Sequence, residues 1–284
     1  MKFVTVDTNA SPKTERLLRS CRWHGIPIDV IGGGRPYPYH GAKIQYLLEY
    51  LEAVSDDEAV MFVDGYDVVF LSGPEEIDAK FEAFGHPFVV SAEQNCNVDG
   101  GLRVRLATWL DYPKGLKPYR FINTGTFVGR AGYMRALLQA LDVQPTDCEQ
   151  TLMNRYFTRH RDAIALDYRQ QIFTCTAGRT GLEEEDYEFA GGRLRNRITG
   201  SLPCVLHCPG KNYIGLEKLI APLPIAGGAY QADAAERRRY RTSRFINRLN
   251  ARIYPDNFAF HLGLDGTLIA SGIILSVLLL NYLI

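Results

Sequence analysis

The chain has 284 residues, 46% of them hydrophobic, and 32 lysines and arginines balance 32 aspartates and glutamates. That hydrophobic share supports a packed core and excludes disorder over most of the length. The even balance of charge excludes a nucleic-acid partner held by bulk positive charge. Acids nonetheless gather at 56–67 and 183–186, and arginines between Arg237 and Arg252. The six cysteines, Cys21, Cys96, Cys148, Cys175, Cys204 and Cys208, are too scattered for a disulfide scaffold and are expected to be reduced.

The first half alternates strand and helix signals. Residues 2–6 form a short β-rich run, and residues 12–24 have helical composition with Leu17, Leu18 and Cys21 on one face. Residues 28–31 read as a second strand, halted by Gly32, Gly33 and Gly34. Over 42–54, Ile44, Leu47, Leu48 and Leu51 recur at helical spacing. Residues 59–63 are wholly apolar and end in Asp64, and the apolar pattern resumes over 68–71. Pro74 opens a helix to about Phe84, with acids in its first turn and Gly85 beyond its end. Residues 88–91 and 121–128 read as buried strands, followed by helices over 131–141 and 147–159. This alternation predicts an α/β fold, a mostly parallel or mixed sheet flanked by helices, with ligands at the carboxyl ends of the strands. After about Ile214 the pattern fades, and 221–229, rich in Pro, Gly and Ala, reads as a linker.

Two segments carry candidate chemistry. In Phe62-Val63-Asp64-Gly65-Tyr66-Asp67 a buried strand delivers one acid, a glycine turns the chain, and a second acid follows three residues after the first. Two carboxylates on one tight turn suit a hard divalent cation, Mn²⁺ or Mg²⁺, that keeps positions open for phosphate oxygens. The alternative is an ordinary polar turn after a core strand. In Val205-Leu206-His207-Cys208-Pro209-Gly210-Lys211 a strand runs into a histidine, a turn and a lysine. His207 can offer imidazole to a metal, and Lys211 can pair with phosphate. A core histidine, or a zinc site using Cys204, His207 and Cys208, are the competing readings. Neither a P-loop nor a nucleophile elbow occurs.

The order of motifs resembles the glycosyltransferase domain of the procollagen lysyl hydroxylase and collagen glycosyltransferase family, over approximately residues 1–215. The motifs are Val4-Thr5-Val6-Asp7-Thr8, Gly41-Ala42-Lys43, the acid-bearing turn with Val68, Ser72-Gly73-Pro74, Ser91-Ala92-Glu93 with Cys96, Phe121-Ile122-Asn123-Thr124-Gly125, Glu149-Gln150, Gln171-Ile172-Phe173 and the His207–Lys211 segment. The resemblance implies a GT-A-like (Rossmann-like) fold that transfers galactose or glucose from a UDP-sugar, with Mn²⁺ or Mg²⁺, to a hydroxyl acceptor such as hydroxylysine or a glycan. It places Val6 and Thr8 near the uracil and Tyr66 near the base or ribose. It gives Asp64, Asp67 and His207 the metal and ribose-diphosphate, and Lys43, Gly210 and Lys211 the phosphates. Asn123, Glu149 and Gln150 would face the sugar or the acceptor. Two positions depart from the family pattern. Asn97 stands where an aromatic follows the cysteine, and Cys148-Glu149-Gln150 stands for Asp-Asp-Gln, so that the sugar-side acid is Glu149 or the nearby Asp147. These departures motivate the alternatives of a catalytically silent, membrane-tethered sugar-nucleotide binder, or of another donor.

The chain is expected to divide into the transferase domain at 1–220, a linker and basic amphipathic segment at 221–262, and a hydrophobic C-terminal helix at 263–284. Residues 266–284 are uncharged and almost wholly apolar, and at ~1.5 Å per residue such a helix approaches bilayer thickness. Upstream, Arg237, Arg238, Arg239, Arg241, Arg244, Arg248 and Arg252 accompany Phe245, Ile246, Leu249 and Ile253, a pattern suited to an anionic membrane surface. A buried terminal helix is the competing reading. Since Met1–Val6 reads as a strand and not as a signal peptide, the expected placement is membrane-associated with the catalytic domain in the cytoplasm.

Overall fold

The computed structural model describes residues 1–114, 118–227 and 230–253. The hydrophobic helix expected at 263–284, and the basic segment past residue 253, lie outside them. Eleven strands and nine α-helices occur among the described residues. The strands are β1 (Lys2–Val6), β2 (Ile28–Ile31), β3 (Ala59–Val63), β4 (Val68–Phe70), β5 (Phe88–Glu93), β6 (Phe121–Arg130), β7 (Ala165–Asp167), β8 (Phe173–Cys175), β9 (Tyr187–Ala190), β10 (Arg193–Asn196) and β11 (Val205–His207). The helices are α1 (Glu15–His24), α2 (Gly41–Glu52), α3 (Pro74–Phe84), α4 (Gly101–Asp111), α5 (Ala131–Ala140), α6 (Glu149–Arg159), α7 (Glu183–Asp186), α8 (Tyr213–Ile220) and α9 (Ala234–Ile253).

A six-stranded sheet of order β2-β1-β3-β6-β5-β7 forms the centre. It is mixed: β1 runs parallel to β2 and β3, whereas β6 is antiparallel to both β3 and β5. Alternation along β1 and β3 assigns the core. Val4, Val60 and Phe62 face one side, where Ile44 and Leu47 of α2, Met134 of α5 and Met153 of α6 pack. Phe3, Met61 and Val63 face the other, against Leu17 of α1, Ile77 of α3 and the small sheet. β3 is buried on both faces, which is why its sequence is continuously apolar. Helix α3 starts on Pro74 with Glu75 and Glu76 in its first turn, and it stops at Gly85 in the left-handed conformation.

Two irregularities position the site. Val90 of β5 faces Phe127 of β6, but Ser91 faces Asn123, so β6 takes up three extra residues, 124–126, beside the end of β3. The second is a three-stranded sheet of order β4-β11-β8. Its antiparallel register sets Val68 opposite His207 and thereby brings the end of β11 to the start of β4.

Several elements differ from the sequence expectation. Only Val205–His207 of the run entering His207 pairs as a strand. Where the pattern was expected to fade, α8 forms instead, capped by the Asn212 side chain and buried through Leu216, Leu219 and Ile220 against the small sheet. Within the expected basic segment, α9 (Ala234–Ile253) packs on α8. Its Tyr240 and Asn247 are buried, and Arg244 and Arg248 reach Glu184 and Glu185. Of the apolar residues that had defined its amphipathic stripe, Phe245 and Leu249 stay outside this contact, 70% and 40% exposed. No helix among the described residues is long and apolar enough to cross a membrane. All six cysteines are free.

Candidate functional site

The site is assembled at strand ends. Asp64 follows β3, its amide donating to the Gly125 carbonyl at 2.8 Å, and Asp67 precedes β4. The β4–β11 register carries His207 to them, so one ligand atom from each of Asp64, Asp67 and His207 falls within 4.8 Å of the others. His207 is buried, and neither ring nitrogen has a hydrogen-bond partner among the described residues. Its Nε2 lies 3.3 Å from Asp67 Oδ1, outside hydrogen-bonding geometry. A buried imidazole without partners costs free energy unless something else binds it. Gly125 makes room for the ring: a Cβ there would fall 2.1 Å from His207 Cε1 and 2.9 Å from Asp64 Oδ2. Two carboxylates and an imidazole fit a divalent cation that tolerates mixed oxygen and nitrogen ligands. The cysteine alternative fails, because Cys204 and Cys208 are buried in apolar clusters and take no part in this group.

Lys43 is buried beside the cluster, its Nζ 2.9 Å from both Asp64 Oδ1 and Glu149 Oε1. Burial alone would lower the pKa of the ammonium, but Asp64 and then Glu149 raise it above its usual value. Burial and the neighbouring Asp67 push Asp64 up against the pull of Lys43 and His207. Glu149 resists burial and stays below the usual glutamate range because of Lys43 and the Thr124 hydroxyl. Its other oxygen, Oε2, is buried with no hydrogen-bond partner among the described residues. Lys43, expected at phosphate, is thus committed to two carboxylates.

Two chambers meet at this cluster and share His40, Lys43, Asp64, Asp67 and Gly210. The larger, of about 520 Å³, is also lined by Val6, Thr8, Tyr66 and Lys211. Tyr66 donates to Asp7 Oδ1 at 3.4 Å, and Asp7 in turn caps the following turn by accepting from the Ser11 amide at 2.9 Å. Gly210 and Lys211 both take positive φ, 74° and 61°. For lysine that conformation is strained, as is common where backbone is shaped around a ligand.

The smaller chamber, of about 350 Å³, holds Asn123, Glu149 and Gln150 together with Asn97, Asp99 and the half-buried Cys148. Asn123 Oδ1 accepts from the Gly125 amide at 3.0 Å and so supports the glycine beside His207. Gln150 donates to Glu93 Oε1 and to the Asn97 carbonyl, each at 2.8 Å, and Asn97 donates to Glu93 Oε2 at 2.9 Å. Burial pushes the Glu93 carboxyl up to about 8 despite these donors. Asp147, the other acid considered beside Glu149, lines neither chamber. It serves the turn before α6, its carboxylate accepting from the Gln144 amide at 2.8 Å and its carbonyl from the Gly41 amide at 2.8 Å.

Sequence reasoning missed Tyr37, His40 and Tyr213, which also line the larger chamber. Tyr37 and His40 follow the carboxyl end of β2, the place where an α/β sheet presents ligand-binding loops, and that position was the available signal. Tyr213 lies beneath Lys13 and Arg16 at 5.1 and 5.4 Å from its ring centroid.

Residues 1–224 match the sequence profile of the PLOD GT domain. Mouse procollagen-lysine,2-oxoglutarate 5-dioxygenase 1 is 31% identical over 233 residues, covering 75% of this chain and 31% of that protein. Human procollagen-lysine,2-oxoglutarate 5-dioxygenase 2 is 27% identical over 231 residues, covering 75% and 30%. The chain therefore spans about a third of the length of these curated relatives. Among solved structures, a glycosyltransferase involved in glycosylation of the major capsid of PBCV-1 aligns over 77% of this chain and 100% of its own, at 11% identity and a TM-score of 0.44.

Proposed function

The chain belongs to the PLOD GT domain family, and from that premise we propose that it is a GT-A-type hexosyltransferase using a UDP-sugar and Mn²⁺. The observation that carries the reading is the buried His207, without a hydrogen bond among the described residues, beside Asp64 and Asp67 where the two chambers meet. The larger chamber would take the nucleotide, with Val6, Thr8 and Tyr66 at the base and ribose and Lys211 at the diphosphate. The smaller would take the sugar and a hydroxyl acceptor such as hydroxylysine or a glycan. Asp64, Asp67 and His207 would hold the cation, whose charge would offset that of a departing diphosphate. Lys43 keeps Asp64 and Glu149 from repelling one another. Gln150, fixed by Glu93 and Asn97, presents the wall that orients the acceptor, and the free oxygen of Glu149 is the group placed to accept its proton.

Incubating the protein with a panel of UDP-sugars and Mn²⁺, with and without hydroxylysine peptides, tests this reading. The expected result is UDP release that needs the metal and increases with acceptor. Failure to bind any UDP-sugar would sink it. Binding without release would select the catalytically silent alternative, which the replacement of an aromatic by Asn97 favours.

A second reading concerns place. The outward face of α9 exposes Arg238, Arg241, Phe245 and Leu249, a basic and apolar combination suited to an anionic bilayer. On this reading the protein is membrane-associated, with its catalytic domain in the cytoplasm. Full-length protein is expected to sediment with phosphatidylserine vesicles, and to do so less after Phe245→Asp. Equal recovery in the supernatant with and without vesicles would remove the idea.

A further inference from the structure

The family match ends at residue 224, yet α9 is fastened to the loop that carries Lys211. Glu183 is the fastener. Its Oε2 accepts from Tyr240 Oη of α9 at 2.8 Å, and its Oε1 accepts from Asn212 Nδ2 at 2.9 Å. Asn212 Oδ1 in turn caps α8 through the Gly215 amide at 3.1 Å. All three side chains are buried, so the position of α9 relative to Lys211 is set by a satisfied polar network.

With Tyr240 fixed, the helix repeat carries Arg239 and Glu236 to the wall of a small cleft whose opposite wall is Gly210 and Lys211. Glu236 is turned to its own helix start, where its carboxylate accepts from Tyr230 Oη at 2.6 Å and from the Asp233 amide at 3.1 Å. Farther along the same helix, Arg244 and Arg248 are paired with Glu184 and Glu185. Among the described residues, no carboxylate pairs with Arg239 or Lys211. Two cations lining one cleft repel unless an anion lies between them. The cleft adjoins the larger chamber, since Gly210 and Lys211 line both.

We propose that Arg239, contributed from beyond the family domain, is a second cation at the diphosphate end of the nucleotide chamber and binds phosphate oxygens together with Lys211. A guanidinium adds what an ammonium cannot, two parallel N–H donors that fit adjacent phosphate oxygens. The identity of the ligand rests on the donor reading above, whereas the anion cleft itself does not.

Calorimetry on the full chain with Mn²⁺ tests this with three probes: UDP, uridine and inorganic diphosphate. Arg239→Ala is expected to weaken UDP and diphosphate by about tenfold while leaving uridine unchanged, and Arg239→Lys to recover part of the loss. Arg239 is exposed, so the alanine variant should keep the wild-type melting temperature. Unchanged binding of UDP and diphosphate by Arg239→Ala would overturn the inference and leave the donor reading standing. An equal loss for uridine would also overturn it, because the effect would not be specific to phosphate. If the wild type bound diphosphate through Arg239 but did not bind UDP, the donor reading would fail and the anion cleft would stand. A wild type that bound neither would sink both.

Discussion

Two parts of the site are built by different means from the same sheet. The metal-ligand cluster where the chambers meet is built from short motifs at strand ends, and the buried His207 imidazole there has no hydrogen-bond partner among the described residues. The wall of the smaller chamber beyond that cluster is built from side chains that bond to one another across long stretches of sequence. Gln150 reaches Glu93 and Asn97, and Glu149 reaches Lys43 and Thr124. Open valence marks a place where a ligand completes the structure. A closed network marks a place where the protein fixes a shape. One half thus waits for its charge partner, and the other is preorganised without one.

The largest effect should come from breaking the open half. Gly125→Ala drives a methyl group into the space of His207 and Asp64, and metal-dependent UDP binding should fall by about 100-fold or more in calorimetry. Donor binding at the wild-type level would mean that the ring can leave its place without consequence, and the metal assignment would be lost. An intermediate effect is expected where the halves touch. Glu149→Gln keeps the side chain's shape and removes its charge, so turnover should fall on the order of 100-fold while the donor KM moves by less than about threefold. A matching loss of donor affinity would reduce Glu149 to a counter-ion for Lys43.

The smallest effect sharpens the closed half. Glu93 titrates normally near 4.5 and is raised to about 8 in the folded chain. Its contribution to stability is therefore full below the unfolded value and is lost as pH rises through about 8. Between about pH 5 and pH 9 the wild-type melting temperature should fall by a few degrees more than that of Glu93→Gln. Asp64 and Asp167 are also raised, but they titrate in both proteins and cancel in the difference. Parallel pH profiles would show that the Glu93 carboxyl is not the group held neutral.

Which parts could be read from the sequence follows the same division. Asp64 and Asp67 stand three residues apart at the end of a continuous apolar run, and His207 ends another, so strand-end chemistry was visible in local text. What brought them together was not, because the Val68–His207 pairing is a register between segments far apart in the chain. Asp147 and Glu149 are alike on the page. They are separated by a turn in which one carboxylate is spent on the Gln144 amide and the other begins α6 facing Lys43. The docking of helix α9 was not legible for a further reason. Periodicity analysis weights apolar residues, and here Phe245 and Leu249 face outward while the docking contact is polar, through Tyr240 and Asn247. A docking face held by hydrogen bonds carries no hydrophobic stripe of its own.

The distribution of thiols has a practical consequence. Five of the six cysteines are buried, and Cys148 alone is half-buried, on the wall of the smaller chamber. A maleimide dye therefore has one accessible attachment point, beside Glu149 and Gln150, without any need to remove the other five. Burial also lifts the Cys148 thiol above its usual pKa, so labelling should go faster at mildly alkaline pH. The fold thus supplies its own reporter position, from which entry of a ligand into the chamber could be followed by fluorescence in the unaltered sequence.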